Sequence, residues 1–491
     1  MSLIFSKRIG DWNTQLYREL KIKLTGFNIF IAVVSSFACQ FIVYAYYSTL
    51  EDQPQELWWW HMFWQKLNWI LPTLLIVGGV YMIMSDLVKE ERRGTLNLIK
   101  LSPESSQSIL LGKIVGVPIL LYLAIALAIP MNCFYGLGID VAFGTLVLLY
   151  IHWVATCCLF YSTAVLIALI GASHRGSQFL PLIGSVLALM LASPYTKFLN
   201  ASKYLWSISA NWHWFFLPIG SEPLLLYAWT LGTIGIANYW IWQGIKRRFR
   251  NPNATLLSKK QSYWLGAILQ IWLLGFVVPD NEQFGFSILA FSVNSIIFLI
   301  LIAVLSPGRQ TLKDWARYKN ITSRQEWIWG EKSPAVVAIA INLAIALLPK
   351  IPWILLSGAE LDDKTRAILN LLCFASLIII YAAIAQLILL TKAKNPMFWA
   401  AGAVGVAIAL PPIVATVLSA SSEQQPILWL FTIFPAIATS YAPTTTKIVA
   451  LLSQWSILVL LSFKLNRQLR LAGESTTKAL LNGRQSLPRE A

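Results

Sequence analysis

The side chains that could carry out chemistry in this 491-residue chain are few and scattered. The histidines and cysteines are His61, His152, His174, His213, Cys39, Cys133, Cys157, Cys158 and Cys373. Their spacing matches neither a zinc site nor a redox-active pair, and the cysteines all lie in apolar runs, where a thiol behaves as a small hydrophobic group. We therefore predict no catalytic residue, no metal and no cofactor in this chain.

Two segments contain the glycine and lysine from which phosphate-binding loops are built, Gly112-Lys113 and residues 330–333. Neither has the Gly-x4-Gly-Lys-Ser/Thr spacing that lets backbone N–H groups surround phosphates. We expect no ATP site in this chain. An integral-membrane lipid enzyme is also disfavoured, because it would need His or Asp residues clustered at one depth.

The most informative polar segment is the loop 89–108. It begins with four consecutive charged residues, Glu90, Glu91, Arg92 and Arg93. A loop that only returns the chain to the membrane needs lysine and arginine but has no need of paired glutamates. We therefore infer that this loop does more than connect two membrane-spanning helices.

The rest of this loop predicts a bend followed by helices. Gly94 can supply a tight bend, and residues 95–101 form a short amphipathic segment. Ser102 is a good N-cap, Pro103 suits the first helical position, and Glu104 would lie near the positive helix end. We therefore predict a short helix across the loop, joined rigidly to the apolar segment that follows, which is the third predicted membrane span.

The elements that must position this loop are membrane spans. The chain is 57% hydrophobic and 12% charged, whereas soluble domains carry about 25% charged residues. Apolar runs of about 20 residues span a bilayer, which predicts an all-α polytopic membrane protein with about 12 transmembrane helices. The predicted spans are 28–48, 67–88, 109–132, 141–171, 179–199, 222–244, 263–278, 286–305, 334–356, 367–391, 396–418 and 444–463.

The net charge of +16 does not indicate nucleic-acid binding. Alternating the spans from a cytoplasmic N-terminus places most lysines and arginines on one side, as the positive-inside rule requires. This predicts a multi-pass protein of the cell inner (plasma) membrane whose partner is the lipid bilayer. Because the tail after 463 is basic, we predict that 427–442 is a re-entrant half-helix pair and that both termini are cytoplasmic.

Four segments follow from this layout. Residues 1–26 form a cytoplasmic amphipathic interface helix, in which leucines at a spacing of four alternate with charged residues that include Arg18 and Glu19. Residues 27–250 form a six-span unit, and 251–333 form a two-span hairpin with a cytoplasmic loop. Residues 334–491 form a second membrane unit with a basic tail.

The two halves of the chain share one short sequence pattern. Residues 216–219 precede a span that ends in a basic cluster at 246–250, and residues 433–436 precede a span that ends in basic residues at 464–467. Because tandem units commonly enclose one transport path, we predict that the second half is a diverged repeat.

The loop resembles that of a known family, the membrane subunits of type-2 ABC exporters. The similarity lies in Glu91, Gly94-Thr95-Leu96, Ser102-Pro103 and residues 111–113, together with the six-span arrangement of 27–250 and the interface helix. It implies that residues 90–103 contact a separate ATPase. The implied coupling residues are Glu90, Glu91, Arg92, Arg93, Gly94, Thr95, Leu96, Ser102 and Pro103. Loop 392–396 departs from this pattern, since it is too short for a second coupling helix.

The resemblance implies a permease subunit of an ATP-driven ABC exporter, with ATP bound on a partner ATPase subunit and no enzymatic activity in this chain. A second permease subunit or a second copy of this chain would be a further partner. The alternative is an ion-driven secondary transporter of twelve spans. That class needs buried charged residues to couple ions to transport, and the central spans contain almost none.

Overall fold

The computed structural model describes most of the chain between Gly10 and Gly473. The segments outside this description are 1–9, 49–55, 173–175, 201–212, 221–222, 253, 277–283, 319–324, 357, 359, 419–420, 422, 434, 436–437, 439–440 and 474–491. The chain divides into two compact units, Met1–Pro252 and Asn253–Ala491. Throughout the described residues the regular structure is helical.

The first unit is built around one long helix. Its helices are α1 (Thr14–Lys23), α2 (Gly26–Ser48), α3 (Glu56–Arg92), α4 (Thr95–Lys100), α5 (Ser106–Gly116), α6 (Ile119–Gly138), α7 (Phe143–Gly171), α8 (Leu180–Asn200) and α9 (Pro223–Arg250). Helix α3 packs against α6, α7 and α8 and also contacts α2 and α4. Its apolar side chains, including Phe63, Ile76 and Met84, form the core of this unit. Displacement of α3 would therefore change its packing against most of the other helices of the unit.

The second unit has its own central helix. Its helices are α10 (Lys259–Leu274), α11 (Phe284–Leu305), α12 (Arg309–Tyr318), α13 (Gln325–Trp329), α14 (Ala335–Leu347), α15 (Lys350–Leu356), α16 (Leu361–Leu389), α17 (Pro396–Val417), α18 (Pro426–Trp429) and α19 (Thr444–Gly473). Helix α16 packs against α14, α17 and α19. Cys373, Phe374 and Ile378 are buried along it.

The protein is an all-α polytopic membrane protein, as predicted. Ten helices within the described residues are long and apolar enough to cross a bilayer. Helix α10 has only 16 residues, and α12 turns away from the end of α11 by 69°. The prediction of twelve spans stays a prediction.

The third predicted span, 109–132, is wrong in its boundaries, because the chain breaks at Pro118 into α5 and α6. Proline has no N–H to donate to the carbonyl four residues earlier, which is that of Ile114. The Tyr122 hydroxyl instead donates to the Ile114 carbonyl at 2.8 Å. Helix α5 is thus not continuous with α6, which is the helix long enough to span the membrane.

The two predicted half-helix pairs fall largely outside the described residues. Residues 213–220 form a turn with an antiparallel bridge between Trp214 and Leu217. Between 427 and 442, helix α18 provides a single turn, and several of the following residues are among those not described.

A buried lysine fixes the start of α10. The Lys259 ammonium, 2% exposed, donates to Ser333 Oγ at 2.5 Å and to the carbonyls of Trp327 and Pro334 at 3.0 and 3.2 Å. It therefore joins α10 to α13 and to the segment between α13 and α14.

Replacing Lys259 with Met should destabilise the second unit by about 2 kcal/mol or more, because methionine cannot donate to the acceptors it leaves buried. Thermal unfolding in detergent measures this loss. Lys260→Met is the matched control, since the neighbouring Lys260 is exposed and its loss should change little. Equal stability of the two variants would contradict this role for Lys259.

Candidate functional site

The candidate site lies where α3 ends and the chain reverses direction. Gly94 follows α3 with a φ of +73°, a left-handed conformation that glycine adopts without steric cost. Helix α4 then runs over Thr95–Lys100, with Leu96 buried and Leu98 exposed. The predicted bend is therefore present, and the amphipathic segment 95–101 is helical over most of its length, but this helix adjoins the end of α3 and not the third span.

The predicted helix start at Ser102 and Pro103 is wrong. The N-cap of α5 is Ser105, whose hydroxyl accepts from the Ser108 N–H at 3.1 Å. The Ser102 hydroxyl instead accepts from the Glu104 N–H within the turn. Three serines within five residues can each cap a helix, and the sequence did not distinguish among them.

The Glu104 carboxylate is also placed differently from the prediction. It accepts from the N–H and the hydroxyl of Thr14 at 3.1 and 2.5 Å, so it supports the start of α1 and not that of α5. Asn13 is the N-cap of α1, and its amide also donates to the Ser108 carbonyl at 2.6 Å. These bonds attach α1 to the start of α5.

Helix α1 packs closely on α5 through two glycines. A Cβ atom at Gly112 would lie 2.6 Å from Asn13 Oδ1, and one at Gly116 would lie 2.6 Å from Glu19 Cβ. The buried face of α1 contains Leu16, as its leucine pattern predicted, but also Gln15 and Glu19. This face is therefore polar where it meets α5, which the leucine spacing alone did not indicate.

A buried network of ion pairs joins α1, α3 and α5. The Lys113 ammonium lies 2.6 Å from Asp86 Oδ2, 2.7 Å from Glu90 Oε2 and 3.9 Å from Glu19 Oε1. Its side chain has no solvent exposure. On the outer side, Arg18 reaches Glu90 Oε1 at 2.7 Å. Charges buried this deeply need close partners, so the three helices hold one another in a fixed geometry.

The three carboxylates of this network are close enough to bind a cation. One oxygen from each of Glu19, Asp86 and Glu90 lies within 4.8 Å of the others. The Lys113 ammonium contacts all three residues. The arrangement is therefore a lysine-centred ion-pair network, and the positive charge among the carboxylates comes from the chain itself.

Lys23 makes a further contact between α1 and the break after α5. Its ammonium donates to the Val117 carbonyl at 2.7 Å. Burial lowers the pKa of Lys23 below its usual range, and the Glu19 carboxylate opposes that shift. The end of α1 is thereby tied to the point where α5 leads into α6.

The other predicted coupling residues surround α4. Glu91 lies 3.9 Å from the Lys100 ammonium, and Arg92 Nε donates to Ser177 Oγ at 3.2 Å. The Thr95 hydroxyl donates to the Glu90 carbonyl at 3.2 Å, while Arg93 is exposed. Predicted residues from the interface helix and from the loop thus meet at Glu90.

Helix α4 and the turn after it present an apolar surface. Leu98 is 69% exposed and Leu101 is 82% exposed. On the opposite side, Leu96 is buried in the core of the first unit. We call Leu98, Leu101 and the exposed Arg93 and Pro103 the α4 surface.

Sequence reasoning missed Asn13 and Asp86 and gave Glu104 and Lys113 different roles. One signal was present, because Asp86 and Glu90 are one helical turn apart and so lie on one face of α3. Lys113 was noted only as part of a motif. Its role depends on contacts with residues 23 or more positions away in sequence, which no local pattern displays.

The site combines the exposed apolar side chains of α4 with an adjacent buried ion-pair network that joins α1, α3 and α5. The chain as a whole matches no protein-family model, no curated protein and no solved structure.

Proposed function

We propose that this chain is the membrane-spanning permease subunit of an ATP-driven ABC exporter. The observation that carries this proposal is the α4 surface. Leu98 and Leu101 are exposed just beyond the charged end of α3, in a loop too polar to lie in lipid. Exposed apolar side chains grouped in this way mark a contact site for another protein. The partner is a separate ATPase subunit, which binds ATP.

The connection from α4 to the spans supports this mechanism. Gly94 joins α4 directly to α3, and Leu96 anchors it in the core. A cavity of about 90 Å³ lies behind α4, lined in part by Leu87 and Leu169, and gives the helix room to shift. Closure of the ATPase would press on α4 and tilt α3 against α6, α7 and α8, which opens a path for cargo.

The ion-driven transporter is the second candidate, and the carboxylates at Glu19, Asp86 and Glu90 are the observation that favours it. Two features favour the exporter instead. Lys113 and Arg18 already pair with these carboxylates, and Asp86 and Glu90 lie in the last two turns of α3, whereas coupling ions bind near the bilayer midplane.

The proposal includes a topology of twelve spans in the cell inner membrane, with both termini cytoplasmic. Residues 27–250 form the six-span permease unit, and the second half is its diverged repeat. The α4 surface and the basic end of α9 at 246–250 then lie on the cytoplasmic side, where the ATPase binds. A second permease subunit or a second copy of the chain completes the transporter.

Reporter fusions test this topology. A reporter enzyme fused after Arg250, or at the C-terminus, should be active in the cytoplasm, because basic residues near span ends are retained there. One inserted beside Asp362 should report the outside. A C-terminal fusion that reports the outside would mean that 427–442 crosses the bilayer.

Gly94→Val tests the coupling role of α4. A Cβ at this position meets nothing within 4 Å, so the φ of +73° is the source of strain, about 1 kcal/mol or more. We expect ATP hydrolysis that depends on the permease to fall while membrane abundance stays normal. Asn395→Val, before α17, is the control and should retain activity. Loss of activity in the control but not in Gly94→Val would place the coupling element in the other half.

A further inference from the structure

A second feature of the first unit has no part in the coupling mechanism. A cavity of about 300 Å³ lies between the start of α5 and the end of α9. It is lined by Ser105, Ser106, Gln107, Lys246, Arg247 and Arg250. Three of the six lining residues are cationic and none is acidic. The cavity therefore favours a negatively charged occupant.

The polar groups of the cavity suit a phosphate. Lys246 and Arg250 are one helical turn apart on α9, so their charges project toward the same side. On α5, the Ser105 hydroxyl and carbonyl accept from the N–H groups of Ser108 and Ile109. The N–H groups of Ser106 and Gln107 have no acceptor within the helix, and they add the positive end of the helix dipole to the cationic side chains.

The nearest acidic residue along the chain is not part of the cavity lining. Glu104 precedes the cavity residues of α5, but one of its oxygens accepts two hydrogen bonds from Thr14 on α1. Glu104 is also absent from the lining of the cavity. Lys246 and Arg250 therefore line the cavity without an acidic residue beside them in the lining.

Apolar surface continues from the cavity along both helices. On α5, Leu111 and Val115 follow Gln107 at intervals of four residues and are exposed. On α9, the exposed Ile236 and Tyr239 precede the basic residues along the span. A ligand with a phosphate in the cavity would therefore have apolar surface beside it for acyl chains.

We propose that this cavity binds the phosphate headgroup of an anionic membrane lipid. The ligand chemistry is a phosphate mono- or diester, and the adjacent apolar surface favours a lipid over a free phosphate. The site does not include the α4 surface or require a partner ATPase. Its test is therefore independent of the test of the proposed function.

Native mass spectrometry of the full-length chain in detergent tests this proposal. The probes are dioleoyl-phosphatidylglycerol, dioleoyl-phosphatidylcholine and inorganic phosphate. The test variant is K246Q/R250Q. Its matched control is K464Q/R467Q, which removes two exposed cations from α19 and leaves the cavity unchanged.

We expect phosphatidylglycerol to bind more tightly than phosphatidylcholine. The K246Q/R250Q variant should weaken phosphatidylglycerol binding by about ten- to thirtyfold, because each basic residue near a membrane surface contributes to anionic-lipid affinity. The control should bind as the unmodified chain does. Phosphate binding without phosphatidylglycerol binding, lost in K246Q/R250Q, would assign the cavity to a soluble anion and overturn the lipid assignment. Equal effects of the two double variants, or none, would overturn the site itself.

Discussion

Lys113→Met is expected to destabilise the first unit by about 3–5 kcal/mol, because removing one partner of a buried ion pair leaves the other charge uncompensated. The lysine side chain is fully buried, and its ammonium lies within 2.7 Å of Asp86 and Glu90. Methionine fills similar space without any charge. Thermal unfolding in detergent should show the loss, whereas Lys89→Met, at an exposed position on α3, should be nearly neutral.

A combined variant separates the ionic effect from the effect of shape. Adding Asp86→Asn and Glu90→Gln to Lys113→Met also removes the two carboxylates that lie closest to the lysine. We expect this triple variant to recover much of the lost stability, because residues in one network do not act additively. A Lys113→Met chain as stable as the unmodified protein would show that the network does not hold α1, α3 and α5 together.

The second large effect is expected at the α4 surface. Leu98→Asp combined with Leu101→Asp places two carboxylates where the ATPase would bury leucine side chains. Burial of a leucine contributes roughly 1.5–3 kcal/mol, so binding should weaken by at least about a hundredfold. Both side chains are largely exposed, and the fold should not change.

The measurement is ATP hydrolysis by the complex purified through a tag on this chain. We expect the double variant to be recovered in normal amounts but without ATPase activity. Leu361→Asp is the control, because Leu361 is also exposed, at 80%, but lies at the start of α16. If the double variant keeps its activity, the ATPase does not bind at α4.

The sequence predicted the parts of this molecule that depend on local physics. Long apolar runs predicted membrane helices, and ten such helices lie in the described residues. Gly94 predicted a bend, because glycine adopts a left-handed conformation at little cost. The α1 helix and the short α4 helix follow from the same kind of local periodicity.

The parts that were missed depend on distant contacts. The pairing of Lys113 with Asp86 joins two helices, and the close approach of α1 to α5 needs glycines at 112 and 116. The start of α5 was misplaced because Ser102, Ser105 and Ser106 all suit a helix start. The choice among them follows from the turn and from the contact of Glu104 with α1.

The most direct test of the central claim is photocrosslinking from the α4 surface in intact membranes. A benzophenone amino acid replaces Leu98 in one sample and Leu361 in the other, and the adducts are identified by mass spectrometry. The probe at 98 should capture a polypeptide with a phosphate-binding loop, and the probe at 361 should not. Adducts from position 98 that contain only lipid or this chain itself would show that α4 does not contact an ATPase.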